Sequence, residues 1–105
     1  MVLILRPCRK EIEAFPEQVR GDLADALARL DAGLVLSLPL SRPMPIIGRG
    51  VHELRLRDRS GVYRVVYAVG ARRMVHVLHA FKKTTQAISA RNLELARMRL
   101  KEVRS

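Results

Sequence analysis

The sequence predicts an α+β domain in which N-terminal helices and a C-terminal helix pack on a small twisted antiparallel sheet. Three observations carry this reading: apolar residues recur at helical spacing between Val19 and Leu30, the period switches to two after Val51, and helical spacing returns after Ser89. At 105 residues there is room for one modest core, so residues 1–105 are read as a single domain.

Val2 to Leu5 reads as a short strand. Arg6 and Pro7 cut its apolar run short, and no basic segment or small-residue cleavage site frames it as a signal peptide. Arg9-Lys10-Glu11-Ile12-Glu13 begins a helical pattern that Pro16 interrupts, and Pro16 itself suits the first position of the next helix. There Val19, Leu23, Ala26, Leu27 and Leu30 form one apolar stripe, Arg20, Asp22, Asp25 and Arg29 turn outward, and Gly33 supplies a stop. From Leu34 to Gly50, Pro39, Pro43, Pro45, Gly48 and Gly50 exclude regular structure through most of the stretch, which is read as a long connecting loop. Its Leu34, Val35, Leu36, Leu38 and Leu40 are too apolar for a free linker, so part of it is expected to pack back onto the core.

From Val51, Glu53, Arg55 and Arg57 alternate with Leu54 and Leu56, giving a strand with one charged face, and Asp58-Arg59-Ser60-Gly61 turns the chain. Val62 to Val69 and Met74 to Phe81 supply two more strands around a turn at Gly70 to Arg73, completing an antiparallel meander. Ser89 can cap a last helix, along which Leu93, Ala96, Leu100 and Val103 recur at a spacing fit for packing on the sheet.

Composition narrows the function. No run approaches the roughly 20 apolar residues of a membrane span, and 49% apolar with 29% charged residues is ordinary for a soluble globular protein. Cys8 stands alone, which excludes an internal disulfide and a multi-thiolate metal site and suits a reducing cytoplasm. Twenty Lys and Arg against ten Asp and Glu give a net charge of +10, which favours polyanions or an acidic partner, with nucleic acid first and a merely solubilising surface as the bland alternative. With no Trp and only Phe15, Tyr63, Tyr67 and Phe81, a platform that stacks many bases is disfavoured. No phosphate-binding glycine loop, paired-His helix or serine elbow appears, and no metal or cofactor is called for.

The chemistry is expected where the strands bring Arg55, Arg57, Arg64, Lys82 and Lys83 together. Neighbouring strands lie about 5 Å apart, so these five cations could grip one or two phosphates. Like charges held that close destabilise the fold unless an anion sits between them. Arginine binds two phosphate oxygens at once but is no base, and lysine is a poor base at neutral pH. The acid–base candidates are His52, His76, His79, Tyr63 and Tyr67. Strand alternation places His79 with Val75, Val77 and Phe81 on a buried face, and Tyr63 and Tyr67 with Val65 and Val69, opposite Arg64.

Val51-His52-Glu53-Leu54-Arg55-Leu56-Arg57, then Gly61-Val62-Tyr63-Arg64-Val65-Val66-Tyr67, then Leu78-His79-Ala80-Phe81-Lys82-Lys83, continuing through Thr85-Gln86 into Leu93-Glu94-Leu95-Ala96-Arg97, resemble the phage-related HigB branch of the RelE toxin superfamily in order and spacing. The resemblance implies a RelE-like fold and a cytoplasmic toxin of a toxin–antitoxin pair. Such a toxin cleaves mRNA on the translating ribosome, needs no metal or other cofactor, and is neutralised by a helix-turn-helix antitoxin through which alone it would oligomerise. It further implies Arg55, Arg64 and Lys83 as catalytic residues; Arg57, Lys82 and Gln86 are second-choice candidates for substrate binding beside them, and His79 and Tyr67 stay as acid–base candidates. Where relatives read KKTQKTP, this chain has Lys83-Thr84-Thr85-Gln86-Ala87-Ile88-Ser89, losing basic residues and a proline beside the site. Two other readings stay open: a non-catalytic toxin of the same fold that inhibits DNA gyrase, and an inactive basic RNA-binding module.

Overall fold

The computed structural model describes residues 1–104. Its elements are β1 (Val2–Ile4), α1 (Arg6–Glu13), α2 (Glu17–Asp31), β2 (Ser41–Pro43), β3 (Val51–Asp58), β4 (Gly61–Val69), a short turn of 3-10 helix (Ala71–Arg73), β5 (Val75–Lys83) and α3 (Ala90–Arg104). The strands form one five-stranded sheet in the order β1-β5-β4-β3-β2. The expected meander is its centre, with β3, β4 and β5 antiparallel. The sheet as a whole is mixed, because β1 joins β5 in parallel and pairs only Val2–Ile4 with Val75–Val77.

Pro7 opens α1 instead of delaying it, since its fixed φ and missing N–H are tolerated in a first helical turn. Pro16 stands just before α2, whose Val19, Leu23, Ala26 and Leu30 are buried as the apolar stripe requires. The segment read as a loop holds strand β2, paired with β3 through Ser41↔Leu54, Arg42↔Glu53 and Pro43↔His52. Proline is tolerated there because β2 is an edge strand. Leu36, Met44 and Ile47 of the same segment are buried, so it does pack back onto the core.

Two apolar layers cover the sheet. Helices α1 and α2 pack with Leu54, Leu56, Tyr63, Val65, Tyr67, Val75 and Val77. On the opposite face, α3 brings Ala96 and Leu100 onto Met44, Ile47, Val51, Val66, Ala68 and Leu78. Ser89 caps α3 as expected, its Oγ accepting the Asn92 N–H at 3.2 Å. Among the described residues no helix is long and apolar enough to cross a membrane.

One irregularity in β5 decides which side chains reach which face. Val66 pairs with His79 but Tyr67 pairs with Val77, so Leu78 is an extra residue, a bulge that shifts the alternation by one. Val75 and Val77 stay on the α1/α2 face, whereas His79 and Phe81 turn to the α3 face with their rings stacked 5.1 Å apart. The expectation that His79 shares a face with Val75 and Val77 is therefore corrected, although the ring is buried.

Candidate nucleic-acid interface

Beyond the start of α3, the sheet face opposite α1 and α2 carries a cluster of cations around Val62 and Phe81. Arg55 lies directly opposite Arg64, Arg64 opposite Phe81, and Arg57 opposite Val62, which is itself opposite Lys83. Directly opposed residues share a face, with Cβ atoms about 5 Å apart. Arg55, Arg57, Arg64 and Lys83 thus stand together, with the partly buried Phe81 ring beside Arg64. A groove of about 560 Å³ runs along the edge of β3 where β2 ends, lined by Pro39, Leu40, Arg55, Leu56, Arg57, Val62 and Arg64.

Within this cluster the cations differ in setting. Arg55 and Arg57 are exposed and Lys83 is half-exposed, and none of the three has a side-chain hydrogen bond or ion pair among the described residues. Arg64 is buried, with only 6% of its surface exposed. Its Nη1 donates to the Tyr63 carbonyl at 3.3 Å, and its Nε lies 3.3 Å from Oε1 of the equally buried Glu53 without hydrogen-bond alignment. Burial pushes the Arg64 pKa down, Glu53 opposes that shift, and the nearby Arg55 and Arg42 reinforce it.

Two residues of this face had no assigned role in the sequence. Arg42, hidden in the proline-rich stretch, is carried by β2 to a position opposite Glu53. Glu53 was legible as part of the charged side of β3, but its burial against Arg64 was not. The signal for Arg42 would have been a strand reading of Ser41-Arg42-Pro43, which three residues beside prolines do not provide.

The other predicted residues lie elsewhere. Because of the Leu78 bulge, Lys82 points to the α1/α2 face, where its Nζ sits 5.9 Å from the centre of the Tyr63 ring and helps line a recess with Glu11, Phe15 and Ala80. Four of the five expected cations converge, and Lys82 does not. Gln86 is exposed in the segment between β5 and α3. Tyr67 is buried on the α1/α2 face, where its hydroxyl and that of Ser41 share a 2.6 Å hydrogen bond and burial raises its pKa. His52 stacks on Tyr67 at 5.3 Å and burial lowers its pKa. Cys8 is buried, and that burial pushes its thiol up to about 12, as befits a structural cysteine.

His79 belongs to a buried polar clamp. Its Nδ1 lies 3.1 Å from Glu11 Oε1 and its Nε2 2.7 Å from the Asn92 amide oxygen. Glu11 also accepts from Arg99 Nη1 at 2.9 Å and from the Ala80 N–H at 3.1 Å, while the same Arg99 nitrogen donates to the Leu78 carbonyl at 3.0 Å. Since β1 covers only the first third of β5, these side chains satisfy backbone groups that the exposed edge would otherwise leave unpaired. Burial alone would raise the Glu11 pKa, but the bonds from His79, Arg99 and the Ala80 N–H outweigh it and hold the carboxyl at about 2.

The five-stranded α+β architecture is RelE-like, as comparison with solved structures shows. The chain is similar to a double mutant of the E. coli toxin RelE in the free state, with a TM-score of 0.53 and 18% sequence identity over 98% of this chain and 96% of that one. Residues 10–101 match the family model described as phage-derived protein Gp49-like (DUF891), and the chain belongs to that family, which is of the RelE/HigB toxin type. A search among proteins of curated function returns no match.

Proposed function

We propose that this protein is the toxin of a type II toxin–antitoxin pair and an endoribonuclease that cleaves mRNA on the ribosome and so arrests translation. The observation that carries the reading is the open sheet face on which Arg55 and Arg64 are directly opposed, with Arg57 and Lys83 beside them. Cleavage requires the 2′-oxygen to attack the adjacent phosphorus as the bond to the 5′-oxygen breaks. The 2′-hydroxyl gives its proton to a water molecule and the departing 5′-oxygen gains one. Arg55 and Arg64 bind the phosphoryl oxygens and offset the charge that builds on them, and a protonated Lys83 donates to the leaving oxygen. Arg57 and Gln86 contact the flanking strand. Alignment of the mRNA by the ribosome supplies the positioning that so open a face does not.

A helix-turn-helix antitoxin is the partner that restrains this activity, and the excess of positive charge suits an acidic surface on it. Brief induction in cells followed by primer extension on abundant transcripts tests the reading. New 5′ ends within coding regions are expected, and they should disappear in Arg55→Gln. Intact transcripts with arrested DNA replication would instead identify a gyrase inhibitor.

A further inference from the structure

Strand β2 is three residues long, yet the chain secures it at both ends. Ser41 is 1% exposed and bonded to Tyr67, and just beyond the strand the Met44 N–H donates to the Val51 carbonyl at 2.9 Å. The backbone that carries Arg42 is therefore fixed. Its side chain is exposed and has no hydrogen bond or ion pair among the described residues. Opposite it stands Glu53, and diagonal to that lies Arg64, so a single buried carboxylate sits among Arg42, Arg55 and Arg64.

An ion pair as buried as Glu53–Arg64 contributes little net stability, because desolvation offsets most of the attraction. What it does supply is direction: it fixes an arginine that would otherwise be free to turn. Two further guanidinium groups beside that pair leave positive charge unbalanced, which an anion bound between them would neutralise.

We propose that Arg42 is a third phosphate-contacting arginine of this face and that Glu53 is the positioning residue that holds Arg64 toward the same phosphate. The proposal rests on the nuclease reading above and names the groups that complete its substrate site. Arg42 extends the row of cations across β2, β3 and β4, so the bound strand crosses the sheet perpendicular to the strands.

The test uses the full chain and a short 2′-O-methyl RNA oligonucleotide, which binds but cannot be cut, with affinity measured by fluorescence anisotropy over a range of salt. Arg42→Gln is expected to weaken binding several-fold and to reduce the slope of log affinity against log salt by about 0.7, the value for one lost contact to a single strand. Arg6→Gln removes the same charge from α1 and should leave the slope unchanged. In ribosome-dependent cleavage, Arg42→Gln should act mainly on KM. Glu53→Gln and the shorter but still charged Glu53→Asp should act mainly on kcat, and Glu53→Asp should retain a native melting curve. An Arg42→Gln protein indistinguishable from Arg6→Gln, or a fully active Glu53→Asp, would overturn the inference while leaving the nuclease reading intact. Wild-type protein that neither binds the oligonucleotide nor cuts mRNA would overturn both.

Discussion

Tyr67 and His79 illustrate how a residue type suited to catalysis can be committed to structure. The Tyr67 hydroxyl is spent on Ser41, on the side of the sheet away from the arginines. Tyr67→Phe should therefore cost about 1–2 kcal/mol of stability in urea denaturation, since it strands the Ser41 hydroxyl, and should leave ribosome-dependent cleavage at the wild-type rate. Glu11 offers a pH test. Its carboxyl is held at about 2 against an ordinary 4.5, so its stabilising contribution is complete above the ordinary value and is lost as pH falls from there through about 2. Glu11→Gln should remove on the order of 2–3 kcal/mol at pH 7 and flatten the acid limb of a stability–pH curve in that window. An acid limb identical to that of the wild type would mean that the clamp is not what acid breaks. At this scale, Arg55, Arg57 and Arg64 were legible because strict alternation in β3 and β4 determines their faces. His79 and Lys82 were not, because nothing in Val77-Leu78-His79 marks the inserted residue: a bulge without glycine looks like ordinary strand.

Elements with strong periodicity followed from the sequence. The stripes of α2 and α3 and the β3–β4–β5 meander stand as read, because each depends on local spacing that tertiary packing reinforces. Of the two short edge strands, β1 was legible as a strand but not in its pairing, and β2 was not legible at all. Strand β1 adds in parallel through contacts far along the chain, and β2 hides among prolines that normally argue against a strand. The approach to β3 gives a stability prediction. Gly50 has φ of +72°, and a Cβ there would meet the Val69 carbonyl oxygen at 2.9 Å. Gly50→Ala should destabilise the protein by about 1–3 kcal/mol, read as a lower urea midpoint. The bulge in β5 gives an activity prediction. Lys83→Gln should slow cleavage by about 100-fold, as loss of a proton donor does, whereas Lys82→Gln, on the other face, should cut at the wild-type rate. Equal losses from both would mean that the substrate wraps around the sheet edge.

Across the whole molecule, the charge of +10 is organised by the fold. Helices α1 and α2 cover much of one face of the sheet and α3 covers part of the other, and the convergent arginines and Lys83 lie on that second face. An apolar core on both sides of the sheet makes that face a rigid platform, which suits a mechanism based on positioning and charge. The most direct measurement is cleavage of a defined mRNA by purified protein with and without programmed ribosomes, comparing wild type with Arg55→Gln. Cuts are expected only when ribosomes are present, with a loss of about 100-fold or more in the variant, the scale of removing one donor that stabilises transition-state charge. Undiminished cutting by Arg55→Gln, or no cutting by the wild type under either condition, would contradict the nuclease reading.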